Sequence, residues 1–210
     1  MHFREATCHQ TAMGTMLRVW AWITSFGSAF VSTGALAHSE QGAAIDFWGG
    51  FTHPIFGPDH VIAMVAVGLW GAFLGPPAIW LLPVVFPLVM ALAGAYGVLG
   101  LPLHGVETGI ALSAIMLGAM VAGAVRPPLW VAALLVGAFA IFHGYAHGVE
   151  LPVGADAIAF SMGFVIATGM LHLSGIAFGG LSHWRAGRIA VRVLGAVIAV
   201  IGVGYLTGVV

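Results

Sequence analysis

The stretch "HPIFGPDH", His53 to His60, packs two imidazoles, a carboxylate and two prolines into eight residues. A second stretch, "FHGYAHGVE", Phe142 to Glu150, spaces His143, His147 and Glu150 at i, i+4 and i+7. On a helix those three side chains share one face. Imidazole nitrogens and carboxylate oxygens ligate divalent transition metals, and a histidine pair at i, i+4 is a common way to seat one. The bland alternative is a histidine pair hydrogen-bonded inside a helix bundle. Asp59 falls at a helix start, where the dipole stabilises an anion. An anion beside His53 and His60 is a trap for a cation. His60 and Met64 also stand at i, i+4, although a methionine in an apolar helix is ordinarily packing. "HGVE" at His104 to Glu107 repeats the "HGVE" of His147 to Glu150. So short a match can arise by accident, yet its place makes Glu107 a candidate carboxylate ligand. His172 stands alone in an apolar segment, and either lines an inward route or serves packing. No G-x-x-x-x-G-K-[ST] motif is present, so the chain carries no phosphate-binding loop of that kind for ATP hydrolysis.

The elements that must position these residues are membrane helices. The chain is 60% hydrophobic and 6% charged over 210 residues, with a mean hydropathy of +1.06. A soluble surface needs roughly a quarter charged residues. There is no lysine, and the net charge is −1, which excludes a basic nucleic-acid surface. Six apolar segments are expected at 59–75, 78–99, 105–124, 128–149, 155–180 and 188–209, each near the ~20 residues that cross a bilayer. Breaks fall at proline and glycine pairs such as Gly75-Pro76-Pro77 and Arg126-Pro127-Pro128. Short loops predict that consecutive helices are antiparallel neighbours. The first segment is short, about 24 Å from Asp59 to Leu74 at ~1.5 Å per residue. Gly57-Pro58 breaks the chain before it, so a partly inserted loop leading into a half-buried helix is expected there. Small residues at fourth positions (Gly105/Gly109, Gly118/Ala122, Ala159/Gly163/Ala167, Gly175/Gly179, Gly204/Gly208) predict close helix seams.

Residues 1–37 read as a cleaved signal peptide. Arg4 and Arg18 precede an apolar run from Val19 to Gly34, and Ala35-Leu36-Ala37 is an A-x-A cleavage site. Cleavage removes Cys8, the only cysteine. It leaves His38 as a free amine beside an imidazole, a pair able to chelate a metal. The expected product is an all-α integral membrane protein, a six-transmembrane-helix bundle over 38–210. With His38 periplasmic, Arg126, Arg185, Arg188 and Arg192 all fall in or beside cytoplasmic loops, as the positive-inside rule asks. Every acid after residue 37 then lies at the outer side, with His38, His53, His60, His104, His143 and His147.

Both stretches resemble the signatures of the HupE/UreJ family of hydrogenase and urease accessory proteins. The form H-P-x-x-G-x-D-H-x-x-x-M-x-x-V-G is matched at His53, Pro54, Gly57, Asp59, His60, Met64, Val67 and Gly68. The form H-G-x-x-H-G-x-E is matched at His143, Gly144, His147, Gly148 and Glu150. The resemblance covers nearly all of the chain beyond residue 37; the long N-terminal region departs from it, and His104 is no part of the motifs. It implies a nickel permease of the bacterial inner membrane, with downstream nickel chaperones of hydrogenase or urease as partners besides membrane lipid.

The residues themselves imply less: a divalent-metal site, for Ni²⁺ or equally Co²⁺, Cu²⁺ or Zn²⁺. Its candidate ligands are His53, Asp59, His60, His143, His147 and Glu150, with His38 and Glu107. A permease, not an enzyme, is the expected function. An intramembrane metallohydrolase is the alternative, because histidines and an acid can hold Zn²⁺ and activate water. A metal sensor or chaperone is another. A hydrolase needs a lipid- or peptide-sized cavity and a general base. A permease needs polar residues continuing inward.

Overall fold

The computed structural model describes residues 47–151 and 154–209. The expected signal peptide and His38 lie outside them. Among the described residues there are seven α-helices and no strand. In chain order they are α1 (Phe47–Phe56), α2 (Pro58–Leu74), α3 (Ala78–Val98), α4 (Val106–Ala122), α5 (Leu129–Val149), α6 (Ala157–Gly179) and α7 (Arg185–Thr207). A 3-10 turn, Gly180–His183, extends α6. Four helices (α3, α5, α6 with its extension, and α7) are long and apolar enough to cross a membrane. Helices α1 and α2 meet at 82° and are apolar enough together for a fifth, broken span or a re-entrant pair; α4 is a shorter apolar helix. The outward surface is apolar as well, with Leu88, Leu92, Leu134, Ile158 and Val200 all exposed. Such a surface is stable in lipid and not in water, and the chain is a multi-pass membrane protein.

The chain before His60 was expected to enter as a loop and is instead the helix α1. Pro54 lies inside it and removes one intrahelical hydrogen bond. The helix tolerates this because it ends two residues later, where Gly57 N donates to His53 O at 3.2 Å. Gly57 then caps α2 with Pro58 at its first position, a start that proline favours because its missing N–H would be unpaired there anyway. Asp156 caps α6, accepting from the N–H groups of Ile158 and Ala159 at 3.0 and 3.1 Å. Its carboxylate is thereby used structurally.

Loop length does not choose the closest neighbours. The tightest pairs are α3 with α5, α4 with α7 and α2 with α6, while the consecutive pairs α2–α3 and α4–α5 pack less extensively. Glycine seams decide this, since two backbones approach closely only where neither carries a side chain. A Cβ on Gly144 or Gly148 of α5 would fall on the carbonyl of Met90 or Gly94 of α3. A Cβ on Gly175 of α6 would strike the Val65 carbonyl of α2. Not every expected seam residue serves one. Gly105, just before α4, and Gly208, just after α7, have φ +72° and +70° and nothing within 4 Å of a Cβ, so their role is the left-handed backbone that side chains resist.

The bundle has two chemically distinct ends. At one, Trp70 Nε1 donates to Val125 O at 3.1 Å, Arg126 lies 4.5 Å above the Phe73 ring, and Arg192 Nε donates to Ala122 O at 2.7 Å. At the other, where α2 and α4 begin and α5 and α7 end, the acids and most histidines collect. Helix α2 joins the two ends through the core, with Met64, Val67, Leu69 and Trp70 fully buried.

Candidate metal site

Three helices deliver the histidines. α1 contributes His53 in its last turn, α2 contributes His60 in its first, and α5 contributes His143 and His147 near its end. The bend between α1 and α2 folds His53 back over His60, their ring centroids 6.2 Å apart. His147 lies between them, 4.9 Å from the His53 ring and 4.2 Å from that of His60. His143, one turn deeper on α5, is 5.2 Å from His60. Glu150 ends α5 and turns back, its Oε2 3.3 Å from His53 Nε2 and 3.7 Å from His147 Nδ1. The latter is an ion-pair distance, too long for a hydrogen bond. One donor atom each from His53, His147 and Glu150 lies within 4.8 Å of the others. Donors about 2.1 Å from one ion are at most about 4.2 Å apart, so small side-chain rotations close this set on a cation.

The electrostatics favour a cation. The imidazoles of His147 and His53 hold the Glu150 carboxyl well below the usual carboxylate range, against partial burial that pushes it up. Glu150 therefore meets an incoming cation as an anion at neutral pH. Asp59 Oδ2 lies 2.8 Å from His60 Nδ1. Asp59 is thus the partner of one ring nitrogen, while Nε2 of His60 is buried without one. Both ring nitrogens of His147 are also buried without a hydrogen-bond partner. So many unpaired buried nitrogens are costly in a fold that binds nothing.

His143 shows how a ring is prepared. The Ser113 hydroxyl donates to Ile110 O at 2.6 Å, so at 2.9 Å from His143 Nε2 it must accept. The ring proton then sits on Nε2, and Nδ1 is a bare lone pair, buried and without a partner. This is the arrangement by which an outer hydrogen bond fixes the tautomer of a ligating histidine. Replacing Ser113 by alanine strands Nε2–H in the core. The expected loss is about 1–3 kcal/mol of stability, read as a lower thermal midpoint in detergent. An unchanged midpoint contradicts the hydrogen bond.

Of the candidates read from sequence, the structure brings together His53, Asp59, His60, His143, His147 and Glu150. Glu107 is elsewhere: it lines a cavity of about 410 Å³ with Asp59, Thr108 and Tyr205. Asp59 thus borders both places. Sequence reasoning missed Ser113, although a serine in an apolar helix was a visible signal. It also missed Phe160 and Phe164, which wall the cluster with ring centroids 6.0 Å from His53 and 4.2 Å from His147. No spacing rule points to those two.

A multi-pass helical protein with a partly buried histidine–carboxylate cluster at one end of its bundle is the class these observations define. The family described as HupE / UreJ protein matches residues 27–205. Protein HupE of Rhizobium leguminosarum bv. viciae is 43% identical over 175 residues, covering 83% of this chain and 92% of that protein. No solved structure matches the chain. The chain belongs to the HupE/UreJ family.

Proposed function

We propose that the protein is a permease, not an enzyme, that takes up a divalent transition-metal ion, nickel first, for hydrogenase or urease metallocentre assembly. The observation that carries this is the meeting of His53, His147 and Glu150 within 4.8 Å, with His60 and Asp59 beside them. Membership of a family named for hydrogenase and urease accessory proteins supports nickel as cargo over cobalt, copper or zinc, and supports nickel chaperones as downstream partners. Counting α1–α2 as one span and α4 as another makes six crossings. The arginine end is then cytoplasmic by the positive-inside rule. The cluster faces the periplasm of a bacterial inner membrane, with the N-terminus there.

The test is uptake of radioactive nickel in cells lacking their own nickel transporters, with Asp59→Ala as a membrane-level-matched control. Uptake by the wild type and its loss in the variant is the expected result. A well-expressed wild type that accumulates no nickel, cobalt, copper or zinc overturns the reading. Acid should suppress uptake. Imidazoles bind metal only when neutral, so protonating them releases the ion. Affinity that does not fall at any acid pH the folded protein survives would count against imidazole ligands.

A second reading, an intramembrane metallohydrolase, draws on one feature. An apolar cavity of about 800 Å³ between α3, α5 and α6 reaches His147, large enough for a lipid or peptide segment. Buried polar atoms continuing past His143 into the bundle support the permease instead.

A further inference from the structure

Two buried polar side chains on α6 have no role in the cluster. Thr168 is 0% exposed and His172 is 1% exposed. Oγ1 of the first and Nε2 of the second have no hydrogen-bond partner. Spaced at i, i+4, they share one face of the helix. Burying an unpaired polar atom is destabilising, and a valine and a leucine would fill the same space without that loss.

The histidine is also oriented. Its Nδ1 lies 2.8 Å from the backbone carbonyl of Met64. A carbonyl only accepts, so the ring proton is on Nδ1 and Nε2 is a bare lone pair. His143 is held in the same manner by Ser113, with the opposite nitrogen free. In both, one ring nitrogen is spent on a fixed acceptor and the other is left as a buried electron pair, the arrangement of ligating histidines. The reach of His172 to α2 depends on a seam: a Cβ on Gly68 would strike the His172 carbonyl. Met64 is one turn beyond His60 on α2, toward the arginine end. Phe86, fully buried on α3, packs against both rings, 5.6 Å from His143 and 5.5 Å from His172.

We propose that His172 Nε2 and the Thr168 hydroxyl form a second, inner binding station for the divalent transition metal. It lies one turn beyond the His60–His143 level and receives the ion on its way to the arginine end. The proposal rests on the permease reading for its direction of travel, but the station itself is a binding site that can be counted.

The experiment uses the full-length protein in detergent with Ni²⁺ at equilibrium, alongside nickel uptake in cells. His172→Asn places a side-chain N–H where Nδ1 was, so the bond to Met64 is kept while Nε2 is lost. Thr168→Val keeps shape and removes the hydroxyl. The expected result is that His172→Asn binds one equivalent fewer at saturation, retains the tighter class of site within roughly twofold, and takes up nickel about tenfold more slowly. Thr168→Val weakens the second equivalent severalfold. Wild-type stoichiometry in a monodisperse His172→Asn overturns the station, because the bond to Met64 is then all that the histidine supplies. A wild type that binds the extra equivalent, lost in His172→Asn, but takes up no metal leaves the station standing and overturns the permease.

Discussion

His147→Leu is expected to lose nickel affinity by ~100-fold or more, since even loss of an outer-shell partner costs 10–100-fold, and yet to unfold at a higher temperature than the wild type. His147 is the member that meets His53, His60 and Glu150. Its ring is the nearest neighbour of His60, packs edge-on to His53, and lies within ion-pair distance of Glu150. Once it is gone His53 still reaches Glu150 at 3.3 Å, but the ring that joins His60 to them is lost. Stability should move the other way. The ring is 8% exposed with neither nitrogen hydrogen-bonded, and it packs tilted against Phe164 with centroids 4.2 Å apart. A leucine of similar volume removes two unsatisfied polar atoms and keeps the apolar contact. The gain expected is on the order of 1–2 kcal/mol, as when functional polarity is traded for packing. Equilibrium dialysis against Ni²⁺ and a thermal melt in the same detergent read the two effects. Loss of both affinity and stability would mean that the ring is structural. Retention of affinity would remove His147 from the site.

The second large effect is expected at Gly148. Leucine there should leave almost no folded protein in the membrane. The Cβ alone would fall on the backbone carbonyl of Gly94, which cannot swing aside as a side-chain tip can. α5 must retreat from α3, and the same motion opens the contact of Gly144 with Met90. Because His143 and His147 ride on α5, even a partial retreat moves them away from α1 and α2. Gly148→Ala is expected to be destabilising by several kcal/mol, in the range of core overpacking or more. Gly169 on α6 is the control, since nothing lies within 4 Å of a Cβ there. Gly169→Ala should be neutral or stabilising by up to about 1 kcal/mol, from helix propensity alone. Immunoblots of membranes and size-exclusion profiles in detergent measure both. A monodisperse Gly148→Leu at wild-type level would show that the α3–α5 seam is not as close as described.

What sequence alone determined follows from interactions short along the chain. Apolar runs and their proline or glycine ends placed the segments at 78–99 and 128–149, against helices Ala78–Val98 and Leu129–Val149. The last helix begins earlier than its apolar run, at Arg185, because a helix in lipid continues through arginines that lie at its end. The i, i+4, i+7 spacing was enough to put His143, His147 and Glu150 on one side of α5, since helical geometry ties side-chain direction to position. Segregation of arginines from acids was also legible, because topology alternates ends with each crossing.

Everything that depends on which helix meets which was left to tertiary structure. α1 was hidden because two adjacent glycines and an internal proline, just ahead of the Gly57-Pro58 break, read as loop although the segment is apolar. Helix pairing followed glycine seams rather than chain order, because close backbone approach between apolar helices is a matter of shape that no periodicity encodes. The same packing sent Glu107 to the cavity with Asp59 and Tyr205, and brought Ser113 of α4 under His143 and Phe164 of α6 against His147. Hydropathy and spacing act within one helix and can be read from it. A site built from three helices exists only after their surfaces have fitted together.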